Sequence, residues 1–286
     1  MALKYAYHPG NVAHSSATEV SQTMEPTARS LGLELHPMKG ATSCGAGIIR
    51  QANDLLQVTL NARNFAIAES MGMDIITPCA ATAGNLNEDL ARLKGDSLLL
   101  TKTNEVLQRT SGLTLSGDVK VHHLLHVVVD EIGLEKVSQK VRNRIDFPVA
   151  GFYGPNMQQE GFCGGDDAFD PQYLEILIEA LGGKPVLWES RTQSVGVPGL
   201  FSEERTALRQ IASVIDDAKS EGASMIVSAC NLSHTALDVY QGKARRVTGT
   251  PTNIPVIHLT EMLSFAMGHY NNRLAQLRTR ISVIGD

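Results

Sequence analysis

The 286-residue chain has four cysteines, one tryptophan and only 5% aromatic residues. Four thiols are too few for a disulfide framework, so a hydrophobic core must hold the fold. No apolar run approaches the roughly 20 residues of a membrane-spanning helix. The opening "MALKYAYHPG" also lacks the apolar stretch of a signal peptide. Cationic excess is absent too: a net charge of -5 excludes a strongly basic surface for nucleic acid or anionic lipid. The expectation is a soluble protein in a reducing, cytoplasmic setting. At 43% hydrophobic and 19% charged, the chain suits one large domain or two of ordinary size.

An internal repeat is present. The stretch "GMDIITPC" (72–79) lies over "ASMIVSAC" (223–230) at an offset of 151 (230 − 79). The same offset brings "TSCGAG" (42–47) over "QSVGVP" (193–198), so Gly45 matches Gly196 and Cys44 falls on Val195. Upstream, "YAYHPGN" (5–11) resembles "AGFYGPN" (150–156). Three segments in one order indicate a duplicated unit.

Within each unit, strand and helix patterns alternate. The first half reads as strand Lys4–Tyr7, a helix to Leu31, a strand near Glu34–Met38, and a glycine-rich loop around Cys44. A helix follows with Leu55, Val58, Ala62, Phe65 and Ala66 on one face, then strand Asp74–Thr77. The second half reads as strand Val149–Tyr153, helix Gln172–Leu181, strand Pro185–Trp188, helix Glu203–Glu221 and strand Met225–Ser228. The expectation is an α/β fold of two pseudo-symmetric repeats, 1–147 and 148–286, each a mostly parallel sheet with flanking helices. The repeated loops fall beyond the carboxyl ends of the strands, where such folds carry their sites.

These segments, with "LGLEL", "VKVHHLLHVVVDEIG", "ALGGKPVLW" and "IVSACNLSHTALD", resemble the cysteine-rich CCG domain. That domain occurs twice in the B subunit of heterodisulfide reductase, in a related subunit of certain succinate dehydrogenases and fumarate reductases, and in heterodisulfide-reductase-like complexes of sulfur oxidisers. In the family each half carries a cysteine after the first strand, then Cys-Cys-Gly, then Cys-x-x-Cys, and these thiolates hold iron–sulfur clusters. Here the corresponding positions are Asn11, Ser43, Cys44, Cys79 and Thr82 in the first half. In the second they are Pro155, Ser194, Val195, Cys230 and Ser233. Three of ten thiols remain, and Cys163, in "EGFCGGDD", matches none of them.

Iron–sulfur clusters are generally held by four thiolates, so two complete clusters are excluded. Cys44 and Cys79, with His8 in the strand-end loop, are the candidates for a single remnant cluster or a zinc ion in the first repeat. A Cys44–Cys79 disulfide and two inert buried thiols are the alternatives. Cys230 precedes a helix, where the dipole lowers a thiol pKa, and His234 is its candidate base for nucleophilic or persulfide chemistry; the alternative is a solvent-facing helix histidine. His122 and His126 share a helix face if "VHHLLH" is helical, but the zincin glutamate is absent, which favours a structural helix. Gly45 and Gly47 do not complete a dinucleotide fingerprint.

The resemblance implies a degenerate oxidoreductase subunit: part of a redox complex moving electrons or sulfur, linked to disulfide, persulfide or succinate/fumarate chemistry. Its implied partners are iron–sulfur and flavoprotein subunits and a lipoyl carrier protein, with no nucleic acid and no membrane span. The alternative is a non-catalytic assembly module that keeps only the fold.

Overall fold

The computed structural model describes residues 3–158, 161–162 and 164–269. Cys163 lies outside them. The first half runs β1 (Leu3–Tyr7), α1 (Thr18–Leu31), β2 (Leu33–Pro37), α2 (Ile48–Ala52), α3 (Asp54–Ser70), β3 (Ile75–Thr77), α4 (Ala80–Gly95), α5 (Ser97–Ser111) and β4 (Val121–His123). Short helices α6 (Leu124–His126) and α7 (Leu134–Ser138) lead on to the second half. This comprises β5 (Pro148–Phe152), α8 (Tyr173–Ala180), β6 (Lys184–Val186), α9 (Glu204–Ser220), β7 (Met225–Ser228), α10 (Asn231–Val239), α11 (Gln241–Thr248), β8 (Val256–His258) and α12 (Leu259–Ala266).

All the strand pairings are parallel, in the orders β2-β1-β3-β4 and β6-β5-β7-β8. The two orders are the same, so the α/β repeat is real in topology as well as in sequence. In each sheet the chain leaves the first strand to one side and returns on the other. The crevice between β1 and β3, and between β5 and β7, is therefore a switch point of the kind that binds ligands.

Alternation along the strands sorts the cores. Ala6 and Ile75 face an outer core with Phe65 and Leu86. Ala150, Phe152, Ile226 and Val256 face a second outer core with Trp188 and Ile211. The opposite faces, Tyr5 and Ile76 from one sheet and Val149, Val227 and Ile257 from the other, enter one shared core. Leu124, Leu125, Leu259 and Leu263 complete that core, so the two halves are welded through their inner faces.

Two sequence readings change, and two short strands went unread. Residues 121–123 are strand, not helix, so His122 and His126 do not share a helix face; His122 instead lies 3.5 Å from Glu131 and 3.7 Å from Asp74. Leu55 is 43% exposed, because only the later turns of α3 reach the core. The fourth strand of each sheet, β4 and β8, has only three residues and carries no readable period.

Candidate functional site: three thiols where the halves meet

The carboxyl ends of the two sheets face each other. Cys79 ends the turn after β3 and caps α4; Cys230 ends the turn after β7 and caps α10. Their surroundings repeat atom for atom: Cys79 N–H reaches Thr77 Oγ1 at 3.3 Å, and Cys230 N–H reaches Ser228 Oγ at 3.3 Å. One backbone bond joins the turns directly, Ala80 N–H to the Ala229 carbonyl at 3.1 Å. This arrangement brings the Cys79 and Cys230 thiols close enough across the junction that the ionisation of each depends on the other. Cys44, Cys79 and Cys230 are all buried and all unbridged.

Cys44 enters from the β2–α2 loop, anchored by Asn61 Nδ2, which donates to its carbonyl at 3.3 Å. Its sulfur accepts from Asn11 Nδ2 at 3.2 Å and from the Ala46 N–H at 3.4 Å. Asn11 Nδ2 also donates to Thr82 Oγ1 at 3.3 Å, and Asn11 Oδ1 accepts from Ser43 Oγ at 2.8 Å. The non-cysteine positions of the first-half pattern therefore do converge around Cys44, as a closed set of amide and hydroxyl hydrogen bonds.

The three thiols differ in acidity. Burial pushes Cys44 up, and the nearby Cys79 charge adds to this. Burial also opposes ionisation of Cys79, but hydrogen bonds from Cys230, Thr82 and the backbones of Thr82 and Asn11 outweigh it and hold it down at about 6. Cys230 rises, first through its hydrogen bond to Cys79 and then through burial. Of the two thiols, ionisation is favoured on Cys79 and opposed on Cys230.

Gly10 crosses directly over Cys79. It sits at φ +86°, and a Cβ there would lie 2.4 Å from Cys79 Cβ, so only glycine fits. Beyond the loop lies a cavity of about 560 Å³ lined by Tyr7, Asn11, Val12, Met38 and Ser43 among others. The Tyr7 hydroxyl is buried without a hydrogen-bond partner, and burial beside Cys79 raises its pKa.

Two expected site residues are used otherwise. His8 Nδ1 accepts from the Gly10 N–H at 3.1 Å and its Nε2 donates to the Thr42 carbonyl at 2.9 Å, so neither nitrogen is free for a metal. Burial keeps that ring neutral, lowering its pKa. His234 is fully buried rather than solvent-facing, and its Nε2 lies 2.7 Å from Glu19 Oε1. It is turned to a carboxylate, not to Cys230.

A pair of capping histidines and one asparagine escaped the sequence reading. His123 caps α6 through Nδ1, which accepts from the Leu125 N–H at 3.1 Å, and its Nε2 donates to the Ala229 carbonyl at 2.9 Å in the other half. Burial lowers its pKa to about 3. Its counterpart His258 caps α12 in the same way, through Nδ1 and the Thr260 N–H. The "HL" after β4 and after β8 was the available signal. The asparagine is Asn231, whose buried amide crosses between the halves.

An iron–sulfur cluster does not fit these residues. Asn11, Ser43 and Thr82 are spent on one another, and Val195 is buried in the second outer core. Among the described residues, the three thiols do not form a group with ligand atoms within 4.8 Å of one another, with or without His8.

A duplicated parallel α/β fold with thiols at facing switch points defines the class. The cysteine-rich CCG domain family matches residues 5–87. The chain is 28% identical to the 8-methylmenaquinol:fumarate reductase membrane anchor subunit of Wolinella succinogenes, over 94% of this chain and 93% of that one. It is 26% identical to an Archaeoglobus profundus protein described as like the heterodisulfide reductase B subunit, over 96% and 93%. It is also 26% identical to the B subunit of the ferredoxin:CoB-CoM heterodisulfide reductase of Methanosarcina mazei, over 85% and 82%. A crystal structure of a hypothetical protein from Helicobacter pylori superposes with a TM-score of 0.75 at 17% identity, covering 96% of this chain and 51% of that one. The first half thus carries a cysteine-rich CCG domain, and the chain is similar over most of its length to heterodisulfide reductase B subunits. Among the described residues no helix is long and apolar enough to cross a membrane.

Proposed function

We propose that this protein is a redox-complex subunit that works through a dithiol, Cys79 and Cys230, in place of the clusters of its relatives. The observation that carries this reading is the meeting of the two cysteine turns across the junction, where the Ala80 N–H bonds the Ala229 carbonyl, with ionisation favoured on Cys79. A thiolate near a second thiol suits two-electron disulfide chemistry: Cys79 attacks a substrate disulfide and expels one thiolate, and Cys230 attacks the mixed disulfide, expelling the second and leaving a Cys79–Cys230 disulfide for the partner subunits to reduce. Cys44, held protonated by burial and by the nearby Cys79 charge, is the reserve thiol of the same site. The curated relatives' names support a place within a multi-subunit electron-transfer assembly. Iron–sulfur and flavoprotein subunits are the partner kinds we propose, with a lipoyl carrier as a further candidate. A cytoplasmic location is part of the same proposal.

A docking role without chemistry is the second reading. It is favoured by Ile48, Leu55 and Leu56, exposed near Cys44, and by Phe201 in the matching segment of the second half.

Iron, acid-labile sulfide and thiol content on anaerobically purified protein separate these readings. The dithiol reading expects iron and sulfide near zero and a two-electron redox titration that Cys79→Ser or Cys230→Ser abolishes. About four irons per chain with broad visible absorbance would overturn it. Thiols inert across the accessible potential range would leave docking.

A further inference from the structure

The cavity of about 560 Å³ beyond the first-half loop has the size of a small-molecule site. Its walls are the turn after β1 and the segment after β2, tied together by His8, which bonds the Gly10 N–H and the Thr42 carbonyl. Gly10 lines the cavity, and a Cβ on it would stand 3.4 Å from Cys79 Sγ. One thickness of backbone thus separates the cavity from the sulfur. The same turn is strained, because the β-branched Val12 holds φ at +54°.

The polar side chains of the lining are otherwise occupied. Asn11 bonds Cys44, Thr82 and Ser43, Thr42 bonds Leu60 and Asn64, and Ser15 bonds Val12. The Tyr7 hydroxyl is buried without a partner, which is unfavourable unless an acceptor arrives. Tyr7 closes β1 in register with Ile76 and packs against the core that contains Ile76 and Cys79. Burial first, and the Cys79 charge second, keep the hydroxyl protonated. It is a donor without an acceptor, near enough to Cys79 to sense its charge.

Charge decides what can enter. Among the described residues no Lys, Arg, Asp or Glu lines the cavity, His8 is kept neutral by burial, and His14 is exposed. An ionised ligand would lose hydration and find no counter-ion. An uncharged aliphatic disulfide loses little, and Met38 and Val12 offer it apolar contact.

We propose that this cavity admits an uncharged organic disulfide and that Tyr7 is a catalytic residue, its hydroxyl donating to the thiolate that leaves when Cys79 attacks. The proposal rests on the dithiol reading. Entry displaces the Gly10 turn. The bond to Cys79 sulfur forms as the substrate S–S bond breaks, and the departing thiolate, held by Tyr7, takes a proton from solvent. Cys230 then gives its proton to solvent, attacks the Cys79 sulfur and releases the second thiolate, which is protonated in turn. The substrate gains two electrons and the cysteine pair loses them.

The test follows Cys79 modification on the full chain by mass spectrometry, each rate divided by that of mercaptoethanol thiolate with the same disulfide. Bis(hydroxyethyl) disulfide should react at least about tenfold faster than cationic cystamine or anionic dithiodipropionate. Tyr7→Phe should slow bis(hydroxyethyl) disulfide about ten- to hundredfold. It should slow dipyridyl disulfide less than about threefold, because that leaving thiolate is stable without a donor. Val12→Lys, which puts a cation on the lining, should raise the dithiodipropionate rate about tenfold and tests the cavity should Tyr7→Phe fail to fold. Equal slowing of both uncharged disulfides by Tyr7→Phe, or charged disulfides reacting as fast as uncharged ones, would overturn the proposal and leave the dithiol reading standing. A folded parent whose Cys79 resists dipyridyl disulfide as well would overturn both.

Discussion

Asn231 Nδ2 donates to the Asn11 carbonyl at 2.9 Å and to the Pro9 carbonyl at 3.1 Å. A side chain of the second half thus holds the strand-end loop of the first against the thiols. Removing it leaves two carbonyls without their donor. Asn231→Ala should cost about 1–3 kcal/mol and speed alkylation of Cys79 at unchanged pH. A urea titration and mass-resolved alkylation rates check both. Unchanged alkylation would mean the loop stays closed without Asn231.

Gly10 is the tightest steric point of the site. With φ at +86° and Cys79 Cβ only 2.4 Å from where an added methyl would stand, Gly10→Ala must push the loop outward. The expected cost is roughly 1–3 kcal/mol, read as a lowered melting temperature. The control Gly72→Ala also has positive φ, at +64°, but no neighbour within 4 Å. It should cost less.

The acidity of Cys79 is directly observable. Thiolate absorbance in the far ultraviolet should show a step around pH 6 that Cys79→Ser removes. Cys230→Ala should move the step upward, because it deletes a donor to the thiolate. A first step no lower than an ordinary thiol's would contradict the assigned ionisation.

Acid should weaken the junction. His123, an imidazole kept neutral, has its folded pKa lowered from 6.5 to about 3, and His258 shifts the same way through burial. A base depressed on folding takes up protons more readily when unfolded. Its stabilisation is therefore complete above about pH 6.5 and is lost as pH falls toward 3. Each such histidine contributes a slope of up to about 1.4 kcal/mol per pH unit in that window. Denaturation followed from neutral pH down to about 4.5 should show the decline, and His123→Gln should flatten it.

Restoring the lost thiols tests whether the ligand framework survives. Asn11, Ser43 and Thr82 already surround Cys44. The combined Asn11→Cys, Ser43→Cys and Thr82→Cys variant should take up iron and sulfide on anaerobic reconstitution where the parent does not. Failure in a folded variant would mean the backbone has drifted from ligand geometry.

The strands β3 and β7 were readable because short apolar runs end at Pro-Cys and Ala-Cys at one offset, and β1 and β5 because theirs end at the similar turns "HPGN" and "YGPN". β4 and β8 were not, since three residues with a terminal histidine hold no period. Convergence of Asn11, Cys44 and Thr82 was legible through the repeat. The pairing of Cys79 with Cys230 was not, because it depends on how Ile76 and Val227 pack in one core from opposite sheets. His8 and His234 were misread for a common reason: residue type and loop position locate an imidazole, but its hydrogen-bond partners decide its use.

The shared inner core has a consequence for origin and for engineering. A single repeat made alone would present Tyr5 and Ile76, or Val149 and Val227, to water, and would have to find a second copy. A duplicated chain supplies both copies at once, each covering the other's inner face. The copies are not equivalent: Asn231, which reaches across in one direction, stands at the position of Ala80 in the first. Cutting the chain between Asp146 and Pro148 should yield fragments that remain insoluble apart and regain the fold when coexpressed.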